Sequence, residues 1–160
     1  MPLAKFYEAM RQGVLTKTTQ INVDEFVKYF TPFLEQGLDI LHVELSSGLS
    51  GVISSANIAK DTLLEKFPDR KLYIVDSLAA SGGLGLLMET LADLRDEGKN
   101  LDALYNWIKE YKLNMHHWFF VSDLTYLVRG GRVSKVSGWV GNMLNINPLL
   151  NIDMEGHRIP

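Results

Sequence analysis

A short apolar run, Ile40 to Leu45, breaks off into Ser46-Ser47-Gly48-Leu49-Ser50-Gly51 and passes at once into a segment of helical periodicity. A buried strand that turns through hydroxyls and glycines into a helix restricts the chain to a small set of architectures, because a strand followed directly by a helix belongs to a layered α/β fold. It also leaves backbone N–H groups converging on one spot with the positive end of a helix dipole behind them, which is an arrangement suited to an anion. Two readings of the serines stay open: Ser50 or Ser47 caps the helix, or the hydroxyls join the amides in holding a ligand. The stretch matches neither common glycine-loop pattern, since it lacks G-x-G-x-x-G and has no phosphate-loop lysine.

The flanking sequence repeats the same alternation. Leu3, Phe6, Tyr7 and Met10 share one face of an opening amphipathic helix that Gly13 ends. Asn22 with Glu25 forms a capping arrangement for a second helix over about Val23 to Glu35, burying Phe26, Val27, Phe30 and Leu34, kinked at Pro32 and closed by Gly37. Beyond Ser50 a helix carries Ile53, Ala56, Ala59, Leu63 and Leu64, then Leu72 to Val75 is a strand with Asp76-Ser77 at its carboxyl end. Ser81-Gly82-Gly83-Leu84-Gly85 leads into a helix through Leu87, Leu91 and Leu94, Asn100 caps another with Leu104, Tyr105 and Ile108 on one face, and Trp118 to Val121 is a third, buried strand. The expectation is an α/β fold with a parallel, doubly wound sheet and helices on both faces. Ligands in such sheets sit beyond the carboxyl strand ends, which would line up Ser46 to Gly51, Asp76-Ser77 and Ser122-Asp123 along one edge. After Leu124 the pattern weakens: Val133 to Met143 is at most a short helix, and Asn147 to Asp153 is an extended arm ending at a Glu155-Gly156 turn.

Several chemistries can be weighed on residue types. A nucleophilic serine at the strand-to-helix turn would resemble a hydrolase, but Gly48-Leu49-Ser50-Gly51 lacks the G-x-S-x-G spacing and His42 lies within the strand itself. His116 and His117 are adjacent, so in a strand they point to opposite faces and cannot share a metal. Gly130-Gly131-Arg132 is either a tight turn with solvated arginines or a donor pair for a carboxylate or phosphate, and the sequence favours the turn. The glycines of Ser81 to Gly85 have the wrong spacing for a dinucleotide loop and are read as allowing close packing on the sheet. A formal charge of -3, with basic residues scattered along the chain, speaks against nucleic acid, and no apolar run reaches membrane-spanning length. With no cysteine and no signal peptide, the default location is cytoplasmic.

Taken in order, Thr18-Thr19-Gln20, Asp39-Ile40-Leu41-His42, Ser46-Ser47-Gly48-Leu49-Ser50-Gly51, Val75-Asp76-Ser77, Gly130-Gly131-Arg132-Val133-Ser134 and Asn145-Ile146-Asn147-Pro148-Leu149-Leu150 resemble the DegV family of bacterial fatty-acid-binding proteins. The resemblance implies a carrier, not an enzyme, that holds one long-chain fatty acid and presents its carboxylate to a fatty-acid kinase. It implies no cofactor and no metal. Carried onto this chain, the carboxylate-binding hydroxyls are Thr18 or Thr19 and Ser50, with Ser46 and Ser47 nearby, and Arg132 contacts a partner or a phosphate. The alternatives are a serine-dependent acyl or phosphoryl transfer enzyme and a degenerate fragment that binds nothing.

Two local departures stand out. The family's Thr-Ser-Gln-Pro-Ser reads Thr18-Thr19-Gln20-Ile21-Asn22 here, and Val52-Ile53 replace a threonine and an aromatic. The resemblance also leads to the expectation that the family's first strand and second domain are missing from this sequence. The chain is therefore expected to be a single fragmentary domain over 1–160, in which residues 124–160 lead towards the missing part, and to self-associate as a dimer or higher oligomer to cover apolar surface.

Overall fold

A computed structural model of the protein describes residues 1–121, 124–131 and 149–152, and the backbone of 158–159. Helix α1, Leu3–Arg11, ends where Gly13 takes a left-handed φ of 90°. None of its side chains is buried. Helix α2, Val23–Glu35, starts from a complete capping box: Asn22 Oδ1 accepts the Glu25 N–H at 2.9 Å, and Glu25 Oε2 accepts the Asn22 N–H at 3.0 Å. It runs on past Pro32 to Gly37, whose positive φ lets the Leu38 N–H reach back to the Phe33 carbonyl.

Strands β1, Ile40–Glu44, and β2, Leu72–Asp76, pair in parallel with Ile40 beside Leu72 and Glu44 beside Asp76. Helix α3, Val52–Lys66, is the crossover between them, as a parallel pair requires. Alternation along the strands feeds two cores. On one face Phe26, Phe30 and Leu34 of α2 and Ala56, Ala59 and Leu63 of α3 pack with Leu72, Ile40 and Ile74. On the other, Leu41, Val43 and Val75 meet Leu91 of helix α4, Ser81–Asp96, and Leu104 and Ile108 of helix α5, Leu101–Tyr111. The parallel sheet thus carries helices on both faces. Asn100 Oδ1 caps α5 by accepting the Ala103 N–H at 2.9 Å.

Two expectations need correction. The strand near Trp118 forms as β3, Trp118–Phe120, but it pairs antiparallel with β4, Leu149–Ile152, in a separate sheet. It is also not buried: Trp118 and Phe120 are 61% and 75% exposed, and only Phe119, opposite the buried Leu150, turns inward. Aromatic content suggests a core strand, yet the pairing partner decides which face is covered. The extended arm does form a hairpin, since β4 pairs antiparallel with β5, Arg158–Ile159. Between β3 and β4, helix α6, Thr125–Arg129, ends at Gly130-Gly131. Tyr126 Oη donates to the Met10 carbonyl at 3.3 Å and ties α6 to α1. Ser122-Asp123, Arg132, the segment Val133 to Met143 and the Glu155-Gly156 turn lie outside the described residues.

Candidate functional site: a strand-end turn beside an apolar cavity

Because β1 and β2 end in register, their connecting loops leave the sheet side by side and interlock. The Ser46 N–H donates to the Ala79 carbonyl at 3.0 Å, and the Ser77 N–H donates to the Glu44 carbonyl at 3.2 Å. Among the described residues, Ser46 and Ser77 are the buried polar side chains. The Ser46 carbonyl accepts the Leu49 and Ser50 N–H groups and its Oγ accepts the Gly48 N–H at 3.2 Å, which winds Ser46 to Ser50 into a tight turn.

One carboxylate oxygen spans both loops. Asp76 Oδ1 accepts the Ser47 N–H at 3.1 Å and the Leu78 N–H at 3.0 Å. The second bond helps hold Leu78 at a φ of 51°, a conformation a γ-branched residue adopts only under constraint. Ser77 Oγ accepts the Ala79 N–H at 3.0 Å, and Lys112 Nζ donates to the Asp76 carbonyl at 2.6 Å.

The turn delivers its donors at the start of α3. Gly51, and neither Ser47 nor Ser50, occupies the N-cap, and no side chain makes a cap bond there. Ser50 Oγ instead accepts the Val52 N–H at 3.3 Å, which leaves its O–H able to donate outward. The Gly51 and Ile53 amides find no acceptor among the described residues. Gln20 Oε1 would lie 3.7 Å from a Cβ on Gly51, so the Thr18-Thr19-Gln20 connection comes up against the same helix end. Thr18 and Thr19 are exposed, as is Ser47. The structure therefore gathers Ser46, Ser47 and Ser50 in one turn with Gln20 beside it, while Arg132 lies outside the described residues.

Leu49, at the crest of the turn, lines a cavity of about 530 Å³, within the range of small-molecule sites. The remaining walls come from Ala80 to Gly83 at the start of α4, from His116 to Phe119, and from Ile152. None of these residues was singled out for a ligand by the sequence, where Ser81 to Gly85 read as packing and the histidines as adjacent strand residues unable to share a metal. The available signal was a run of small residues opposite a His-His-Trp-Phe segment. The glycines begin α4 instead of leading into it, and Gly83 faces the His117 ring, not the sheet: a Cβ there would collide with the imidazole, whereas at Gly82 or Gly85 it would meet nothing within 4 Å. Burial, with the neighbouring His116 adding to it, lowers the His117 pKa, so the ring is neutral at neutral pH.

Among the described residues the geometry offers no activated nucleophile. His42 Nε2 is held by Glu44 Oε2 at 2.9 Å and its ring meets Phe26 and Phe30 on the α2 side, and no histidine bonds Ser50 among the described residues. Among those residues there is likewise no group of three potential metal ligands, and no helix long and apolar enough to cross a membrane.

Comparison with known proteins gives a consistent result. A family model described as "Uncharacterised protein, DegV family" matches residues 1–158. A DegV domain-containing protein of Clostridium perfringens is 40% identical over 94% of this chain and 52% of its own length. A fatty acid-binding protein of Thermotoga maritima is 36% identical over 99% of this chain and 54% of its own. Among solved structures, the Streptococcus pneumoniae Fatty Acid Kinase (Fak) B3 protein loaded with linoleic acid superposes with a TM-score of 0.83 at 30% identity, covering 97% of this chain and 54% of that one. The chain spans about half the length of the relatives it matches.

Proposed function

The chain belongs to the DegV family, and from that membership we propose that it supplies the head-group side of a carrier for one long-chain fatty acid. The observation that carries this reading is the pairing of a donor-rich turn with an apolar cavity: Leu49 lines the cavity, and the chain passes directly from it into Ser50 and Gly51, where Ser50 Oγ and the Gly51 and Ile53 amides stand at the start of α3. A carboxylate at that end would take hydrogen bonds from the Ser50 hydroxyl and the open amides and would be favoured by the α3 dipole, with no full countercharge needed. Thr18 and Thr19 add hydroxyls from the connection whose Gln20 reaches Gly51, and Ser47 adds one from the exposed side of the turn. Ser46, buried with its Oγ accepting the Gly48 amide, shapes the turn. The acyl chain would then run past Leu49 into the cavity.

The same placement suits a carrier that gives up its cargo's carboxylate to another protein. Ser47 lies at the surface, so a carboxylate held there stays within reach of a fatty-acid kinase, with Arg132 a contact for the partner or the phosphate. Similarity to a protein of a fatty-acid kinase system supports this step. The protein itself then performs no chemistry, in keeping with a Ser50 hydroxyl whose partner is a backbone amide. Self-association would cover the exposed face of Trp118, Phe120 and Leu149.

The test is native mass spectrometry of the purified chain, paired with analysis of its organic extract. One fatty acid per chain is the expected result, in an assembly of two or more copies. A well-folded protein that carries no lipid, and takes none up when fatty acid is added, would defeat the carrier reading.

A further inference from the structure

The cavity wall holds one contact whose tolerance is very narrow. His117 lies so close to α4 that a Cβ at position 83 would collide with its ring atoms unless the ring moved, and Gly83 and His117 both line the cavity. Gly82 and Gly85, in the same helical turn, have open space where a Cβ would sit. The close approach is therefore particular to Gly83 and is not a general consequence of a glycine-rich helix start.

We propose that the seating of His117 on Gly83 is the element that selects among acyl chains, by fixing the bore of the cavity where α4 faces the His116–Phe119 segment. Glycine in the first turn of a helix costs stability relative to alanine, so its presence calls for a local reason, and the imidazole supplies one. With the ring drawn in against the α4 backbone, the space beside Leu49, Phe119 and Ile152 stays open for an alkyl chain. Any side chain at position 83 would force the ring off its present seat, and because the ring itself lines the cavity, the bore would change with it. Burial keeps the imidazole neutral, which suits a wall that an acyl chain slides along. The inference rests on the fatty-acid reading above and adds to it a residue pair that sets specificity.

The experiment is a competition: the purified chain is equilibrated with an equimolar mixture of saturated fatty acids of increasing length and one cis-unsaturated acid, and the bound acids are quantified by mass spectrometry. Gly83→Ala is expected to shift the bound population towards shorter chains, and His117→Ala towards longer or bent ones. The ratio of long to short should change by roughly tenfold, about what a methylene's worth of space carries in an apolar pocket. Gly85→Ala, which changes helix propensity without touching the cavity wall, should leave the ratio unchanged. A purely structural role for the contact would lower total uptake without altering these ratios. Ratios within about twofold of the unmodified chain in the folded variants, at undiminished lipid occupancy, would overturn the inference. If Gly83→Ala does not fold, His117→Ala decides alone. If the unmodified chain takes up no lipid at all, the carrier reading fails and this inference falls with it.

Discussion

Replacing Ser50 with alanine separates what the hydroxyl does for the fold from what it does for a ligand. Among the described residues, Ser50 Oγ accepts one hydrogen bond, from the Val52 N–H, at 3.3 Å. A neutral bond at the long end of the range contributes on the order of 0.5 kcal/mol net. In a domain of this size that lowers Tm by only about 1–2 °C. Towards a carboxylate the same group would donate a charge-assisted bond, for which about 1.5–3 kcal/mol is typical. Since 1.4 kcal/mol corresponds to a factor of ten, fatty-acid affinity should fall roughly 10- to 150-fold. Binding should not vanish, because the Gly51 and Ile53 amides and the helix dipole remain. Displacement of a fluorescent fatty acid gives the affinity, and scanning calorimetry on the same preparation gives Tm. An affinity within about threefold of the unmodified chain, at unchanged Tm, would refute the assignment of Ser50 to the head group. A loss of more than about 5 °C would mean that the turn depends on the hydroxyl far more than its single long bond implies.

Asp76→Ala should cost about 2–3 kcal/mol in urea denaturation, because Oδ1 accepts from both Ser47 and Leu78, and Asp76→Asn, which keeps an acceptor in place, should recover most of it. Phe30→Ala removes a side chain that is 1% exposed and packed against Phe26 and His42, and should destabilise by about 3–5 kcal/mol without changing the bound-lipid profile. The lowered pKa of His117 makes stability depend on pH. Above the ordinary histidine value of about 6.5 the ring is neutral in both folded and unfolded chains; below it the unfolded chain takes up the proton first, so stability declines as pH falls towards the lowered folded value. Urea midpoints at pH 7.5 and pH 5.5 should differ by less in His117→Gln than in the unmodified chain.

Where local chemistry decides the outcome, the sequence is a sufficient guide. The capping box at Asn22 and Glu25, the stop at Gly37 and the cap at Asn100 are each contained within a few residues, and each forms as its residues require. The paired strands Ile40–Glu44 and Leu72–Asp76 are legible for the same reason: a helical crossover with an apolar face leaves them little alternative to a parallel pair. Contacts between distant segments are another matter. Nothing near Trp118 reveals that its partner is Asn151 in an antiparallel ladder, so the aromatic run is mistaken for a buried strand. Nothing in Gly82-Gly83-Leu84-Gly85 reveals which glycine meets His117. The hydroxyls of the strand-end turn can be found from sequence because strand, turn and helix are contiguous, whereas the clamp at Asp76 depends on the shared register of two strands.

The two walls of the cavity are anchored very unequally. Leu49 and Ala80 to Gly83 spring from β1, β2 and α4, whose side chains fill both main cores. The opposite wall hangs on β3, which contributes no buried side chain and leans on β4 through a ladder of three residue pairs. Opening free energy follows buried apolar contact, so amide hydrogens of β1 and β2 should exchange only when the whole domain unfolds, and those of β3 through a far cheaper local excursion. The cavity should therefore loosen first along its β3 side, while the side that carries the strand-end turn stays in register.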